Sequence, residues 1–180
     1  MSVFPITLAT PASYPRTPPR DSEVVVIGGG VIGVCTALFL ARAGKQVTLL
    51  EKGRIAAEQS SRNWGWIRQQ GRDPDELPIM VEAARLWREL APDLDRDIGL
   101  HQTGVTYLAG TEAKMQGYAD WLPHAKAHGV DSRLMDAGEV AKAFPGLAGT
   151  YAGALTTPSD MRAEPWVAVP ALAALAAREG

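Results

Sequence analysis

The chain has 180 residues and a formal net charge of −2, from 18 Lys+Arg against 20 Asp+Glu. That length suits one domain, or one domain with part of another, and 46% hydrophobic with 21% charged residues excludes a disordered tail or a collagen-like repeat. Nothing in the near-neutral charge suggests an electrostatic grip on nucleic acid or anionic lipid, and the single Cys excludes an internal disulfide or a multi-thiolate zinc site.

Residues 1–20 carry five prolines and lack a basic stretch followed by an apolar core, so they read as an extended arm and not as a secretory signal. The longest apolar runs, 31–41 and 166–177, fall short of the ~20 residues a bilayer crossing needs. A cytoplasmic location is the expectation.

Val24-Val25-Val26-Ile27 is a continuous β-branched run, the pattern of a strand buried on both faces of a parallel sheet. After Gly28-Gly29-Gly30, residues 31–43 form a helix pattern apolar nearly all round, so interior packing is expected, with Gly44 as its left-handed stop. Residues 46–50 form a second short strand closed by Glu51. Residues 53–71 read as a long polar loop with two tryptophans, of the kind that carries function.

The helical period returns at Leu77, with Ile79, Ala83, Leu86, Trp87 and Leu90 on one stripe, and stops at Pro92. Residues 104–109 form a strand candidate. Residues 111–128 are helical, with a break expected at Gly117 or Pro123 and a cap at Gly129. Asp136 and Glu139 have the spacing of a capping box opening a short helix to Phe144. Residues 151–155 form a short strand, and 165–178 a last helix that Pro170 should delay or bend. The chain stops after that helix, where an α/β plan continues with a strand, so an N-terminal portion with an open sheet edge is expected.

Gly28-x-Gly30-x-x-Gly33 lies between the first strand and the first helix. The first glycine permits the tight turn, the second lets backbone approach a pyrophosphate, and the third lets helix pack on strand. The helix N-terminus adds free N–H groups and partial positive charge. Glu51, eighteen residues after Gly33, stands where an acid accepts a hydrogen bond from a ribose hydroxyl. A glycine-rich turn that binds nothing is disfavoured, because strand, helix, spacing and acid occur together. The chain does not continue in regular β–α repeats after Glu51, which favours a flavin over a nicotinamide nucleotide.

The segment VVVIGGGVIGVCTALFLARAGKQVTLLEKG resembles the FAD-binding start of the D-amino-acid oxidase family of flavoproteins, which includes D-amino-acid dehydrogenases, glycine and sarcosine oxidases and L-amino-acid deaminases. The resemblance continues through AAEQSSRNWGWIRQQGRD, HQTGVTYLA and EPWVAVPALAALAAREG, so it spans 23–180. It implies that Gly28, Gly30, Val31, Ile32 and Gly33 meet the FAD pyrophosphate, and that Glu51, with Lys52 beside it, meets the adenosine ribose. It further implies that Ser60, Ser61 and Arg62 meet the pyrophosphate or ribityl chain, and that Asn63, Gly65, Trp66 and Ile67 run beside the isoalloxazine.

Other candidates are weaker. Arg68 could pair a substrate carboxylate as a bidentate fork, and Arg162 is a second such arginine. Cys35 reads as a small packed hydrophobe. His124 and His128 lack a third ligand, so no metal site is expected. Trp87, Trp121 and Trp166 read as core residues.

The fold expected is α/β: a Rossmann-like FAD-binding domain with an inserted α+β substrate region, incomplete at the C-terminus. Residues 1–20 form the arm, 21–71 the first part of the FAD-binding domain, 72–157 a partial substrate region and 158–180 the return segment. The function implied is FAD-dependent oxidation of the C–N bond of an amino acid or amine, by hydride transfer to flavin. No catalytic residue is assigned. One alternative is a non-catalytic remnant or split half that associates with itself or with a missing C-terminal half. A minor alternative is an NAD-dependent dehydrogenase.

Overall fold

The computed structural model describes residues 5–14 and 17–180, so residues 1–4 and 15–16 of the expected arm lie outside the described residues. In chain order the elements are β1 (Val24–Ile27), α1 (Val31–Arg42), β2 (Val47–Leu50), α2 (Gln59–Arg62), β3 (Trp66–Ile67), α3 (Leu77–Leu90), β4 (Val105–Ala109), α4 (Glu112–Ala127), β5 (Arg133–Asp136), α5 (Ala137–Ala143), β6 (Gly153–Thr157), β7 (Met161–Arg162) and α6 (Pro165–Glu179). They fall into two compact units. The first comprises the chain up to Gly65 with Leu90–Leu100 and Ala163–Gly180; the second comprises Trp66–Glu89 and His101–Arg162.

In the first unit β1 and β2 pair in parallel, Val24 opposite Val47 and Ile27 opposite Leu50, with α1 as the crossover. The helix stops where its backbone turns back on itself. Ala43 N–H donates to the Phe39 carbonyl and Gly44, at φ +77°, donates to the Ala41 carbonyl. α1 buries Val34, Ala37, Leu38 and Ala41 and packs on α6, which buries Ala168, Ala171, Leu172 and Leu175. Arg42 near the end of α1 pairs with Asp93 at 2.8 Å and Glu179 at 3.2 Å. The arm residues Ala12, Tyr14 and Pro18 face β2 and α6 across a cavity of about 350 Å³.

Three expectations for this unit are corrected. β1 is covered on one face only: Val26 faces α1, whereas Val25 and Ile27 are 53% and 86% exposed. Alternation of side chains along a strand gives β1 that split, and α1 is likewise one-sided, burying Val34, Ala37, Leu38 and Ala41 while Ile32 is 78% exposed. α6 begins at Pro165 and runs through Pro170. The missing proline N–H frees the carbonyl of Trp166, a residue that is exposed and not in the core, so water can take that acceptor.

The second unit holds an antiparallel sheet in the order β4-β6-β5, with Tyr107 opposite Leu155 and Leu134 opposite Leu155 on the other side. β6, paired on both edges, is buried throughout. The capping box is present: Asp136 accepts from Glu139 N–H at 2.8 Å, and Glu139 accepts from Asp136 N–H at 3.0 Å. α4 is unbroken at Gly117 and Pro123, contrary to expectation. Pro123 is exposed and Ala119, whose carbonyl loses its N–H partner, is only half-buried, so water can reach that acceptor. Leu77, Val81, Trp121, Ala125 and Val130 pack together, while Ile79 is exposed and off the buried stripe of α3. β3 and β7 pair antiparallel, Trp66 opposite Arg162 and Ile67 opposite Met161. The expected 53–71 loop therefore contains a helical turn and a short strand. Among the described residues no helix is long and apolar enough to cross a membrane.

Candidate functional site

The glycine-rich turn of the first unit joins β1 to α1. Gly28 takes φ +114° with open space where a Cβ would point, so backbone conformation is what selects glycine there. Its N–H donates to the Leu50 carbonyl at 2.8 Å, extending the β1–β2 pairing by one bond. Gly33 is selected by contact instead. A Cβ on it would lie 1.9 Å from the Gly28 carbonyl oxygen, so α1 meets the strand end backbone to backbone. Gly30 precedes α1 with no side-chain cap, and the helix ladder begins with Val34 N–H to the Gly30 carbonyl at 2.9 Å. The earlier N–H groups, at Val31, Ile32 and Gly33, are the orphan donors of a helix start.

One of those donors has a partner from another element. Ser60 Oγ in α2 accepts from Val31 N–H at 2.8 Å, and a Cβ on Gly30 would sit 3.0 Å from that oxygen. A neutral hydroxyl oxygen thus occupies a position where a helix N-terminus favours an anionic one. Glu51 clasps the same turn. Its Oε2 accepts from Gly29 N–H at 2.7 Å and its Oε1 from Gly53 N–H at 2.6 Å. Gly29, between the motif glycines, was not singled out from sequence. A Cβ there would meet Ile55 Cδ1 at 2.7 Å, and its carbonyl accepts from the N–H of Ala56, a non-glycine residue at φ +62°.

The other residues named from sequence around this turn are placed as follows. Lys52 is exposed. Ser61 is buried and its hydroxyl donates to the Glu58 carbonyl at 3.4 Å, inside the turn of α2. Arg62 donates to the Ala57 carbonyl at 2.8 Å and pairs with Glu58 at 3.0 Å. Asn63 links the Gln59 carbonyl to Gly65 N–H. Gly65, at φ +71°, approaches so closely that a Cβ would lie 2.0 Å from the Ala163 oxygen. So Gly28, Gly30, Val31, Gly33, Glu51 and Ser60 form one connected turn, Ile32 stands exposed beside it, and Ser61, Arg62, Asn63 and Gly65 hold the α2 segment. Trp66, Ile67 and Arg68 belong to the second unit.

There, Arg68 follows β3. Its Nη1 donates to the Gln70 carbonyl at 2.5 Å and to the Tyr107 hydroxyl. Its guanidinium carbon lies 6.0 Å from the Trp66 ring centroid and 5.5 Å from that of Tyr107. Among the described residues no side-chain hydrogen bond uses its Nε or Nη2. The edge that presents two parallel N–H donors is therefore unspent. Behind it lies a group with no local sequence signal, Asp160. This carboxylate is 1% exposed, and its Oδ1 accepts from Gln69 N–H at 2.7 Å and its Oδ2 from Gln70 N–H at 3.2 Å. Burial raises its pKa above the ordinary range, against the lowering effect of those N–H groups and of Arg68. Arg162 pairs through its backbone with Trp66 and His101. Cys35, in α1, is partly buried, and burial pushes its thiol up to about 11.

A family model described as FAD dependent oxidoreductase matches residues 23–180. Among curated relatives, the mitochondrial dimethylglycine dehydrogenase of Mus musculus is 28% identical over 173 residues, covering 95% of this chain and 20% of that protein. Sarcosine oxidase subunit beta of an Arthrobacter species is 31% identical over 130 residues, 71% of this chain and 32% of that protein. Among solved structures, the L-amino acid deaminase of Proteus myxofaciens superposes with a TM-score of 0.86 at 28% identity, over 92% of this chain and 38% of that one. The L-proline dehydrogenase of P. horikoshii gives 0.84 at 30%, over 90% and 43%. The chain thus spans about a fifth to a third of the curated relatives.

Proposed function

We propose, for a chain that belongs to the FAD dependent oxidoreductase family, that the turn built by Gly28, Gly33, Glu51 and Ser60 holds FAD and serves the oxidation of an amino acid or amine at its C–N bond. The observation that carries this reading is the start of α1. Its first N–H groups stand ahead of the helical ladder, Gly33 leaves no side chain between helix and strand, and Ser60 Oγ rests on Val31 N–H. This donor set fits a pyrophosphate, whose oxygens take backbone N–H bonds. Glu51 accepts from Gly29 in the turn and from Gly53 after β2, and has lone pairs left for ribose hydroxyls. Lys52, Ser61, Arg62, Asn63, Gly65, Trp66 and Ile67 belong to the same proposal, Ser61 through α2 and not by direct contact.

When bound, FAD supplies the hydride acceptor. This chain's own contribution toward the substrate is a hold on its carboxylate. Arg68 offers its Nε/Nη2 edge to a substrate carboxylate, with the Trp66 and Tyr107 rings beside the guanidinium. The nicotinamide reading loses its support, because β3 pairs with β7 and does not extend the β1–β2 ribbon. The proposal extends to a cytoplasmic location, with which a single free cysteine is consistent, and cell fractionation checks it.

A second reading is a flavin-holding half that turns over only with a partner chain. The exposed apolar face of Val25 and Ile27 favours it. One experiment separates the two. The chain is loaded with FAD, freed of excess and mixed without oxygen with a panel of amino acids and secondary amines. Bleaching of the flavin band by a member of the panel supports the first reading. A retained band that no substrate bleaches supports the second.

A further inference from the structure

We propose that Asp160 is a positioning residue for Arg68, setting the backbone turn on which the guanidinium is anchored. The inference rests on the reading of Arg68 as a carboxylate fork and adds what orients it. Two successive backbone N–H groups, Gln69 and Gln70, point at the two oxygens of one carboxylate, at 2.7 and 3.2 Å. An acceptor with a single oxygen serves one such donor well; a carboxylate serves both. Gln69 Nε2 adds a third bond to Oδ1 at 3.3 Å. The carboxylate is itself fixed, because the Asp160 backbone accepts from Gly104 N–H at 2.9 Å and donates to the Thr157 carbonyl at 3.3 Å.

These bonds fall at the residues directly after Arg68. They draw the chain out of β3, which ends at Ile67, and into the bend completed by Gly71 at φ +62°. The bend places the Gln70 carbonyl where Arg68 Nη1 donates to it. Asp160 therefore acts on the fork through one intervening residue, without touching the guanidinium. With Nη1 held by Gln70 and Tyr107, Nε and Nη2 are the donors left for a ligand. Rotation of the Gln70 peptide would remove that anchor and leave Tyr107 as the remaining partner. The 1% exposure of Asp160 fits this role, since burying a carboxylate is costly unless hydrogen bonds such as these satisfy it.

The test uses the full chain with 15N-labelled arginine, and benzoate as a carboxylate probe whose binding is read by titration calorimetry. Arg68 should show resolved, slowly rotating guanidinium resonances, identified by their loss in Arg68→Met. Asp160→Asn, which keeps the volume but turns one acceptor into a donor, should merge those resonances and raise the benzoate Kd about fivefold or more at a temperature where circular dichroism shows native structure. Tyr107→Phe should leave the resonances resolved, because the Gln70 anchor persists. Resolved resonances and an unchanged Kd in Asp160→Asn would overturn the proposal. So would collapse of the resonances in Tyr107→Phe, a result that also decides the matter if Asp160→Asn does not fold. If Arg68→Met binds benzoate as the parent does, the fork reading itself fails. If Arg68→Met loses benzoate and Asp160→Asn does not, only the positioning role fails.

Discussion

Replacing Gly33 by alanine separates close backbone packing from ordinary helix propensity, because the two predict opposite signs. In a helix interior, Gly→Ala stabilises by about 1 kcal/mol on propensity alone. At Gly33 the new Cβ would lie 1.9 Å from the Gly28 oxygen, about 1.5 Å inside the 3.4 Å at which ordinary contact begins. Gly28 is held by its bond to Leu50, so α1 must move instead, away from β1 and against α6. Overpacking of this kind costs about 1–3 kcal/mol and at times more, and this displacement stands at the upper end. The net expectation is a loss of about 2 kcal/mol, or roughly 4–8 °C in melting temperature for a chain of this size. Gly117→Ala is the control. That residue lies in α4 with nothing within 4 Å of its Cβ position, so propensity should act alone and raise stability by about 1 kcal/mol. Thermal unfolding followed by circular dichroism measures both. A Gly33→Ala chain that melts at or above the parent temperature would refute the reasoning.

Three further outcomes follow from the same geometry. Glu51→Gln puts an amide NH2 against one of two backbone donors, so the unliganded chain should lose about 1–3 kcal/mol in urea unfolding; a Glu51 that served only a ribose would show no change without FAD. Ser60→Ala removes the partner of Val31 N–H and should lower unliganded stability by about 0.5–1.5 kcal/mol, while an unchanged denaturation midpoint would show that solvent already serves that donor. Cys35, with its thiol at about 11 against an ordinary 9.0, should hold about a hundredfold less thiolate at pH 8 and react with a disulfide reagent correspondingly slowly; reaction at the rate of a free thiol would contradict its burial in α1.

The parts legible in the sequence were those that local chemistry decides. Val24–Ile27, the glycines and Glu51 specify β1–α1–β2 within about thirty residues, and the Asp136/Glu139 box marks α5. The family resemblance read over 23–180 coincides with the match found. What stayed hidden depends on partners distant in sequence. β3 and β7 have two residues each and exist because they pair with one another across about ninety residues, so neither has a period to detect. Pro123 and Pro170 look like breaks until packing and solvent exposure are known. The one-sided cover of β1 was not readable, since a β-branched run looks the same with one face buried or two. Asp160 lies in a Pro-Ser-Asp stretch that reads as an ordinary turn, and only its approach to Gln69 and Gln70 shows otherwise. Gly29 was passed over because the motif needs only its neighbours, although Ile55 and Glu51 leave no room for a side chain there.

FAD binding at the Gly28–Ser60 turn of the first unit underlies the whole proposed function. The most direct measurement is the visible spectrum of the purified chain after incubation with FAD and gel filtration, alongside Gly33→Ala and Glu51→Gln. The expected result is a flavin band that travels with the parent protein and is weakened in both variants. A parent chain that elutes folded by circular dichroism but colourless would contradict it.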